Sequence, residues 1–278
     1  MQTIAVLITC HNRKVYTLAC LDRLYSQTLP QDVALSVYLV DDGCSDGTAK
    51  AVREAYPTTN ILQGDGSLFW CNGMRLAWQV ATKSDPDFYL WLNDDTMLHP
   101  NCITVLMNTW SEAIIQSNNG VLVVGSTRDP DTLMYTYGGQ SLCGRHPVRA
   151  TQVIPDNVIA KHCDTFNGNC VFIPRYIYQT VGMMRSFTHA MSDIDYGLLA
   201  RRAGVQIIVA PGYIGECRGN PISTFWSNRS LPRKQRWRLL LSHRGLPPRD
   251  WWKLLWRHGG LYAFIYWPVP YLRVIIGL

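Results

Sequence analysis

Two adjacent carboxylates follow directly on a run of apolar and aromatic residues near the middle of the chain. The run Phe88–Leu92 has the unbroken hydrophobic pattern of a buried strand, and Asn93, Asp94 and Asp95 come next. Ligands of open α/β sheets bind beyond the carboxyl ends of the strands. Paired carboxylates at such a place suit a hard divalent cation, Mg²⁺ or Mn²⁺. A polar turn is the alternative interpretation, since Asn, Asp and Thr are common turn and cap residues.

Three other polar clusters follow apolar runs earlier in the chain. They are Thr9–Arg13, Val40–Thr48 and the glycine-punctuated loop Gly64–Arg75, which is not a GxGxxG string. Each alone has a structural explanation: Asp41 and Asp42 could lie in a turn, and His11 could be a packed loop histidine. Four polar strand ends in consecutive strand–helix units nevertheless define one cleft, and this predicts a ligand site.

A second carboxylate site is predicted at Ser192–Tyr196. Asp193 and Asp195 lie where a helix running to Gly204 would begin. Ser192 followed three residues later by Asp195 also imitates a capping box. The functional alternative is a general base, because a carboxylate held at a helix end can accept the proton of a reacting hydroxyl.

The order of the elements predicts an α/β fold with a mostly parallel central sheet flanked by helices. Helices are expected over about 14–27, 46–55, 72–82 and 101–116, between strands at Ile4–Thr9, Leu35–Val40, Asn60–Leu62, Phe88–Leu92 and Val121–Gly125. Past residue 130 the pattern changes. Met134–Leu142 contains the glycine pair of a β-hairpin, Asp164–Pro174 has the pattern of one strand, and Gln206–Ala210 that of another.

Four strings resemble, in this order, the motifs of family 2 glycosyltransferases with a GT-A fold: Thr9–Arg13, Val40–Thr48, Leu92–Thr96 and Ser192–Asp195. The resemblance covers roughly residues 1–215 and is most specific at Val40–Thr48. Within the family the chain looks most similar to the bacterial rhamnosyltransferase-like branch. The resemblance implies inverting transfer of a sugar from a UDP- or dTDP-linked donor to a saccharide acceptor, lipid-linked, in cell-surface polysaccharide synthesis.

The resemblance also implies roles for individual residues. Asp193 is the expected general base, with Asp195 as second choice. Asp42 is expected to hold the nucleobase or ribose, within a donor-binding set of Thr9, His11, Arg13, Asp42, Asp65, Gly66, Asn72, Arg75 and Asp94. The acceptor site is expected to come largely from residues 130–190, including Asn167 and His189.

The expected cation site follows from the DxD motif of the family. Asp95 matches the metal-binding last member of the motif and Asn93 stands at its first position, so Asp95 and Asn93 are the expected metal ligands. Many enzymes with this fold add a histidine to the metal after the last core strand. Glu216 or Cys217 stands at that place here, and the choice between them stays open.

Two other functions fit parts of the pattern. A sugar nucleotidyltransferase also combines a nucleotide-binding sheet with a carboxylate-bound metal, but Thr9–Arg13 lacks the glycines expected of a triphosphate loop. A non-catalytic nucleotide-sugar-binding protein would keep the fold without needing Asp193.

Positive charge is concentrated at the C-terminal end. Residues 1–217 carry 15 Lys and Arg against 19 Asp and Glu, whereas residues 218–278 carry 11 against 1, a net charge of +10. We therefore expect a GT-A-like domain over 1–217, with a nucleotide-sugar half (1–128) and an acceptor and catalytic half (129–217). A basic, Trp-rich helical segment is expected over 218–278 and is predicted to bind an anionic membrane surface. A packed helical cap or an oligomer contact is the alternative, and nucleic acid is not expected because no recognised module is visible.

The cysteine pattern and the N-terminal residues indicate in which cellular compartment the protein is expected. Nine scattered cysteines without a CxxC pair are typical of reduced thiols rather than of a disulfide framework or a zinc site. No basic stretch precedes the first strand, so no signal peptide is predicted. These features predict a cytoplasmic protein, peripheral on the inner face of the cell membrane.

Overall fold

Two apolar layers cover the two faces of one central β-sheet. The computed structural model of the chain describes residues 1–117 and 119–278. In the first strand, alternate side chains enter different layers, with Val6 and Ile8 in one and Ala5 and Leu7 in the other. Both faces of the strand are buried, which explains why its sequence is a continuous apolar run.

The described residues form short strands and helices that alternate through the first half of the chain. The strands are β1 Gln2–Cys10, β2 Val33–Asp42, β3 Asn60–Gly64, β4 Phe88–Leu92, β5 Met97–Leu98, β6 Val121–Arg128, β7 Tyr135–Tyr137, β8 Gly139–Leu142, β9 Ala150–Gln152, β10 Lys161–Cys163, β11 Thr165–Phe166, β12 Cys170–Pro174 and β13 Gln206–Glu216. The helices are α1 Lys14–Tyr25, α2 Thr48–Ala55, α3 Phe69–Ala81, α4 Cys102–Ile114, α5 Arg175–Val181, α6 Ser192–Arg202, α7 Arg233–Leu241, α8 Pro248–Gly259, α9 Ala263–Tyr266 and α10 Val269–Ile275.

The main sheet has the strand order β10-β13-β6-β12-β4-β1-β2-β3. The pairs β3–β2, β2–β1, β1–β4 and β6–β13 are parallel, whereas β12 runs antiparallel to both of its neighbours. The prediction of a mostly parallel sheet flanked by helices is therefore confirmed. Cys10 pairs with Asp41, and Asp42 pairs with Gly64, so the polar strand ends lie together at one edge of the sheet.

Two predictions for the region after residue 130 are wrong. Met134–Leu142 is not a hairpin, because β7 pairs with β6 while β8 pairs with β9 and β11 in a separate small sheet. Gly138 links the two strands with φ +155°, and a Cβ there would lie 2.5 Å from Ser126 Oγ. Asp164–Pro174 is not one strand either, since β11 and β12 are separated by Asn167–Asn169.

The C-terminal helices pack back onto the main domain. Leu240, Leu254 and Leu255 are at most 1% exposed and belong to the same apolar layer as Trp78. No helix within the described ranges has the length and apolar character needed to cross a bilayer. The inner face of the segment thus follows the packed-cap alternative, while its outer face keeps many exposed apolar side chains: Trp256, Leu261, Tyr262, Phe264, Ile265, Val269, Leu272, Ile275, Ile276 and Leu278.

Candidate active site

The two carboxylates after β4 share one arginine. Arg13, in the loop after β1, places Nη1 3.1 Å from Asp94 Oδ1 and Nη2 2.5 Å from Asp95 Oδ2. The Thr17 hydroxyl on α1 shares its one proton between the Arg13 backbone oxygen at 3.1 Å and Asp94 Oδ2 at 3.3 Å. Burial of Asp94 raises the pKa of its carboxyl to about 7, although the Arg13 guanidinium acts to lower it. The loop after β1 and the end of β4 thus form one charged cluster.

Asp95 has an oxygen that is free for a cation. Its Oδ1 is buried and has no hydrogen-bond partner in the described part of the chain. Asn93 differs, because its Oδ1 accepts a hydrogen bond of 2.7 Å from the Trp70 indole. Mg²⁺ in proteins is commonly held by one or two carboxylates together with substrate phosphates and water. Asp95, with Asp94 beside it, fits that pattern.

The two candidate ligands at the end of β13 have different neighbours, and Cys217 lies next to Asp95. The Cys217 thiol is buried, and burial followed by the charge of Asp95 raises its pKa. Glu216 forms an ion pair with Arg128 at 3.3 Å. Over residues 1–117 and 119–278, no group of three or more His, Cys, Asp and Glu side chains is arranged as a metal site. The choice of a third ligand therefore stays open.

Asp42, at the end of β2, organises the glycine-punctuated loop after β3. Its Oδ1 accepts hydrogen bonds from the N–H groups of Gly66 at 2.8 Å and Leu68 at 3.3 Å, and its Oδ2 accepts from Phe69 at 2.9 Å. Phe69 has φ +52°, a value that bulky residues rarely adopt. Hydrogen bonds to a carboxylate are stronger than neutral ones and hold this strained turn. Contact of Asp42 with a nucleobase or ribose stays a prediction.

Thr9, His11 and Asp65 border the same loop. Thr9 is buried at the end of β1. His11 Nδ1 donates to the backbone oxygen of Asp42 at 2.5 Å. Asp65 is exposed and accepts from the backbone and hydroxyl of Ser67 at 2.9 and 2.7 Å, and the hydroxyl bond lowers its pKa. These three residues therefore lie around the loop, and their contact with a donor stays a prediction.

Asn72 and Arg75 are directed elsewhere. Both lie on α3 and bind the segment that precedes α6. Arg75 donates to the Met184 carbonyl, and Asn72 donates to the Phe187 carbonyl at 3.4 Å. In this structure they brace that segment against α3, and their predicted contact with the donor stays untested.

Asp193 approaches the same region from the start of α6. Its Oδ2 accepts a hydrogen bond of 3.0 Å from the Gly168 N–H, and burial raises its pKa. Gly168 lies between Asp193 and Trp70, because a Cβ there would be 3.3 Å from Asp193 Cβ and 2.5 Å from Trp70 Cη2. Since the Trp70 indole also donates to Asn93, it connects the two carboxylate sites.

Trp70 is a residue of the candidate site that sequence reasoning missed. A signal for it existed in the sequence, because an indole N–H that becomes buried needs an acceptor. Asn93, which stands where the DxD motif has its first carboxylate, supplies a neutral amide oxygen for that purpose. The amide oxygen of Asn93 is thus engaged by Trp70 and is not left open to a cation.

Asp195 does not join this group. It is completely buried, with Arg257 Nη1 at 2.5 Å and His258 Nε2 at 2.8 Å from its Oδ1. Residues two apart on a helix point about 200° from each other, so Asp193 and Asp195 face different surroundings. The capping box is not formed, because Ser192 is the first helical residue and its buried hydroxyl has no partner among the described residues.

Comparison with known proteins decides the family. The family model described as glycosyltransferase-like family 2 matches residues 2–252. The chain belongs to this family. The mannosyltransferase PcManGT from Pyrobaculum calidifontis, solved with GDP-Man and Mn²⁺, is similar in fold, with a TM-score of 0.56 and 16% identity over 99% of this chain and 73% of that chain. The search of curated proteins gives no match.

In this glycosyltransferase the two predicted acceptor residues lie apart. His189 sits against the donor loop: its Nδ1 accepts from the Trp70 backbone N–H at 3.3 Å, and its ring is edge-on to Phe69 and His243. Asn167 lies beside the small sheet, where its Oδ1 accepts from Gln140 at 3.0 Å. His189 is therefore the one of the pair that contacts the loop organised by Asp42.

A polar cavity of about 350 Å³ opens beside this loop. It is lined by the start of α3 with its preceding loop, by the segment before α6, and by the first turns of α8: Ser67, Phe69, Asn72, Ser186, Phe187, Thr188, Arg249, Asp250 and Lys253. Ligand pockets commonly have such volumes and combine aromatic faces with a few polar groups. No pattern in the sequence predicted that α8 reaches this region.

His189 generates a pH-dependent stability that mutation can test. Burial, together with His243 and Arg244, lowers its pKa to about 4, so the unfolded chain binds more protons between pH 4 and 6.5. The contribution of the uncharged His189 to the free energy of unfolding is complete above pH 6.5 and is lost as the pH falls towards 4. We expect His189→Gln to lose less stability than wild type from pH 7 to pH 5, by up to about 2 kcal/mol in denaturant unfolding. His162→Gln, at an exposed histidine, is the control. Parallel pH profiles for wild type and His189→Gln would contradict the effect.

Proposed function

We propose that this protein is an inverting, metal-dependent hexosyltransferase that moves a sugar from a UDP- or dTDP-linked donor to a lipid-linked saccharide acceptor in cell-surface polysaccharide synthesis. The placement within the rhamnosyltransferase-like branch is part of the proposal. The observation that carries it is the pair of carboxylate sites at one sheet edge, Asp94 and Asp95 on one side of Trp70 and Asp193 on the other. Such transfer needs a base for the acceptor hydroxyl and positive charge near the leaving diphosphate.

Asp193 is the base in this proposal. The acceptor hydroxyl attacks the anomeric carbon from the face opposite the diphosphate, and its proton passes to Asp193. The bond to the diphosphate oxygen breaks in the same displacement, which inverts the anomeric configuration. Burial raises the pKa of Asp193, which makes it a better proton acceptor than an exposed aspartate. Within the described residues it has no cationic partner that would weaken it as a base.

The donor lies across the loop that Asp42 organises. Thr9, His11 and Asp42 frame the nucleoside, while Asp65 and Gly66 approach the donor sugar. Asn72 and Arg75 hold the opposite wall of the cleft. Asp95, with Asp94, holds the divalent cation, which supplies charge stabilisation to the leaving diphosphate when it is bound. His189, Asn167 and the cavity next to α8 serve the acceptor.

A thermal-shift panel tests the donor assignment. UDP-, dTDP- and GDP-sugars are each combined with Mn²⁺, Mg²⁺ or EDTA. We expect a UDP- or dTDP-sugar to raise Tm only when a cation is present, with about 2.7 kcal/mol of added stability at a hundredfold excess over Kd. The GDP-sugar is the matched control for the identity of the nucleobase. Absence of any shift with all nucleotides and both cations would contradict a donor site here.

Substitution of the proposed base separates catalysis from folding. Asp193→Asn keeps the size of the side chain and should lower the transfer rate by about 10²- to 10⁴-fold, the usual contribution of a general base. Its nucleotide-induced Tm shift should stay as in wild type. Asp195→Asn is the contrasting variant, because it breaks a buried pair with Arg257 and should cost about 3–5 kcal/mol of stability. Near-normal turnover in Asp193→Asn would rule this residue out as the base.

The C-terminal segment is proposed to lie on an anionic membrane at the cytoplasmic face. Residues 218–278 combine a net charge of +10 with an outer surface rich in exposed aromatic and aliphatic side chains. Leu261, Phe264 and Ile265 are 76%, 63% and 61% exposed, and they lie within five consecutive residues. Basic and apolar side chains on one segment suit the interface of a bilayer with anionic headgroups. A lipid-linked acceptor would be presented at the same surface.

Vesicle sedimentation tests the membrane assignment without disturbing the core. The triple variant Leu261→Ser, Phe264→Ser and Ile265→Ser removes exposed side chains only, whereas truncation near residue 230 would also remove the buried Leu254 and Leu255. We expect its partitioning to phosphatidylglycerol vesicles to fall at least about tenfold, since each apolar side chain adds about 1.5–3 kcal/mol when fully buried. Val158→Ser with Ile159→Ser, equally exposed elsewhere, is the control. Equal sedimentation of both variants and wild type would dismiss the membrane contact.

A further inference from the structure

The position of Arg13 raises the question of how a divalent cation gains access to its carboxylates. The guanidinium forks across Asp94 Oδ1 and Asp95 Oδ2 at 3.1 and 2.5 Å, and it also lies over the Tyr16 ring with 5.3 Å to the centroid. The positive charge that these two carboxylates need is thus already supplied by the chain itself.

The oxygens left over are too few for tight cation binding. Asp94 Oδ2 accepts the Thr17 hydroxyl, and Asn93 Oδ1 accepts the Trp70 indole. Asp95 Oδ1 is the oxygen of this cluster without a partner in the described ranges. A divalent cation at that oxygen would stand beside the Arg13 guanidinium, and like charges at such separation repel.

Arg13 has the freedom to move away. It lies in the short loop between β1 and α1, and 40% of its side chain is exposed. An arginine fork that fits two carboxylates also fits a diphosphate, because both present paired anionic oxygens to the planar guanidinium. A bound nucleoside diphosphate would therefore give Arg13 a second partner and would give the cation additional oxygen ligands.

We propose that Arg13 is the resident counter-ion of Asp94 and Asp95, and that it makes cation binding conditional on a nucleoside diphosphate. The divalent cation and Arg13 compete for the same two carboxylates. The diphosphate binds Arg13 in place of the carboxylates and completes the coordination of the cation. The nucleoside diphosphate and the cation therefore tighten the binding of each other by the same factor. This inference rests on the proposed donor site and adds to it the residue that couples its two occupants.

Calorimetric titration with Mn²⁺ tests the competition directly. Without nucleotide, Arg13→Gln should bind Mn²⁺ more tightly than wild type by about 5- to 150-fold, the range usual for coupled sites. In wild type, UDP should tighten Mn²⁺ binding by a comparable factor, and this coupling should shrink in Arg13→Gln. Mn²⁺ affinity that is equal or weaker in a folded Arg13→Gln protein would overturn the proposal.

The opposite end of β4 offers a matched control. Arg175 also forks across two aspartates, with Asp85 at 2.5 Å and Asp87 at 3.3 Å, and it is 33% exposed. If loss of any such arginine simply freed carboxylates for Mn²⁺, Arg175→Gln would gain affinity as well. We expect Arg175→Gln to bind Mn²⁺ as wild type does, and an equal gain in both variants would overturn the special role of Arg13.

A second variant, and titrations with nucleotide present, allow a decision even if Arg13→Gln does not fold. Arg13→Lys retains the charge but not the fork, so its Mn²⁺ affinity should lie between those of wild type and Arg13→Gln. If Arg13→Gln fails to fold, a Lys variant indistinguishable from wild type overturns the proposal. If wild type binds neither UDP nor dTDP with Mn²⁺ present, the proposed donor site fails, while the nucleotide-free comparison still decides whether Arg13 competes with the cation.

Discussion

The burial of several carboxylates at one edge of the central sheet is the constraint on which this structure depends. Asp41, Asp42 and Asp94 are only 3%, 2% and 4% exposed, and a buried charge without compensation is strongly unfavourable. Each is compensated differently. Asp41 accepts the backbone N–H of Cys44 at 2.7 Å, Asp42 accepts the amides of the loop after β3, and Asp94 pairs with Arg13. The loops around the cleft take the shapes that these contacts require.

The same compensation fixes where the proposed catalytic groups stand. The Asp42 contacts hold Phe69 and thereby the entry into α3, which places the Trp70 indole between Asn93 and Gly168. The Trp70 indole thus connects the proposed cation site at Asp94 and Asp95 with the proposed base, Asp193. The cleft is therefore organised before any ligand arrives, and such preorganisation lowers the cost of aligning the two substrates.

Local patterns in the sequence predicted the parallel strands and the polar residues that end them, whereas long-range contacts could not be predicted. The parallel strands β1 to β4 could be predicted because buried strands are continuous apolar runs that end in polar residues. The hairpin at Met134–Leu142 was predicted wrongly, because the glycine pair marks a change of sheet rather than a turn. The environment of Asp195 could not be foreseen, since its partners Arg257 and His258 lie about sixty residues away.

The pairing of Asp195 with α8 has a consequence for how this protein can evolve. The C-terminal segment is more basic than the rest of the chain and has exposed apolar side chains on its outer face, two features typical of an exchangeable module. Yet Arg257 and His258 hold a buried carboxylate two residues from Asp193, on the same first turn of α6. A chimera that received this segment from a relative with other residues at the two positions would leave a charge stranded in its core. The two parts must be inherited together.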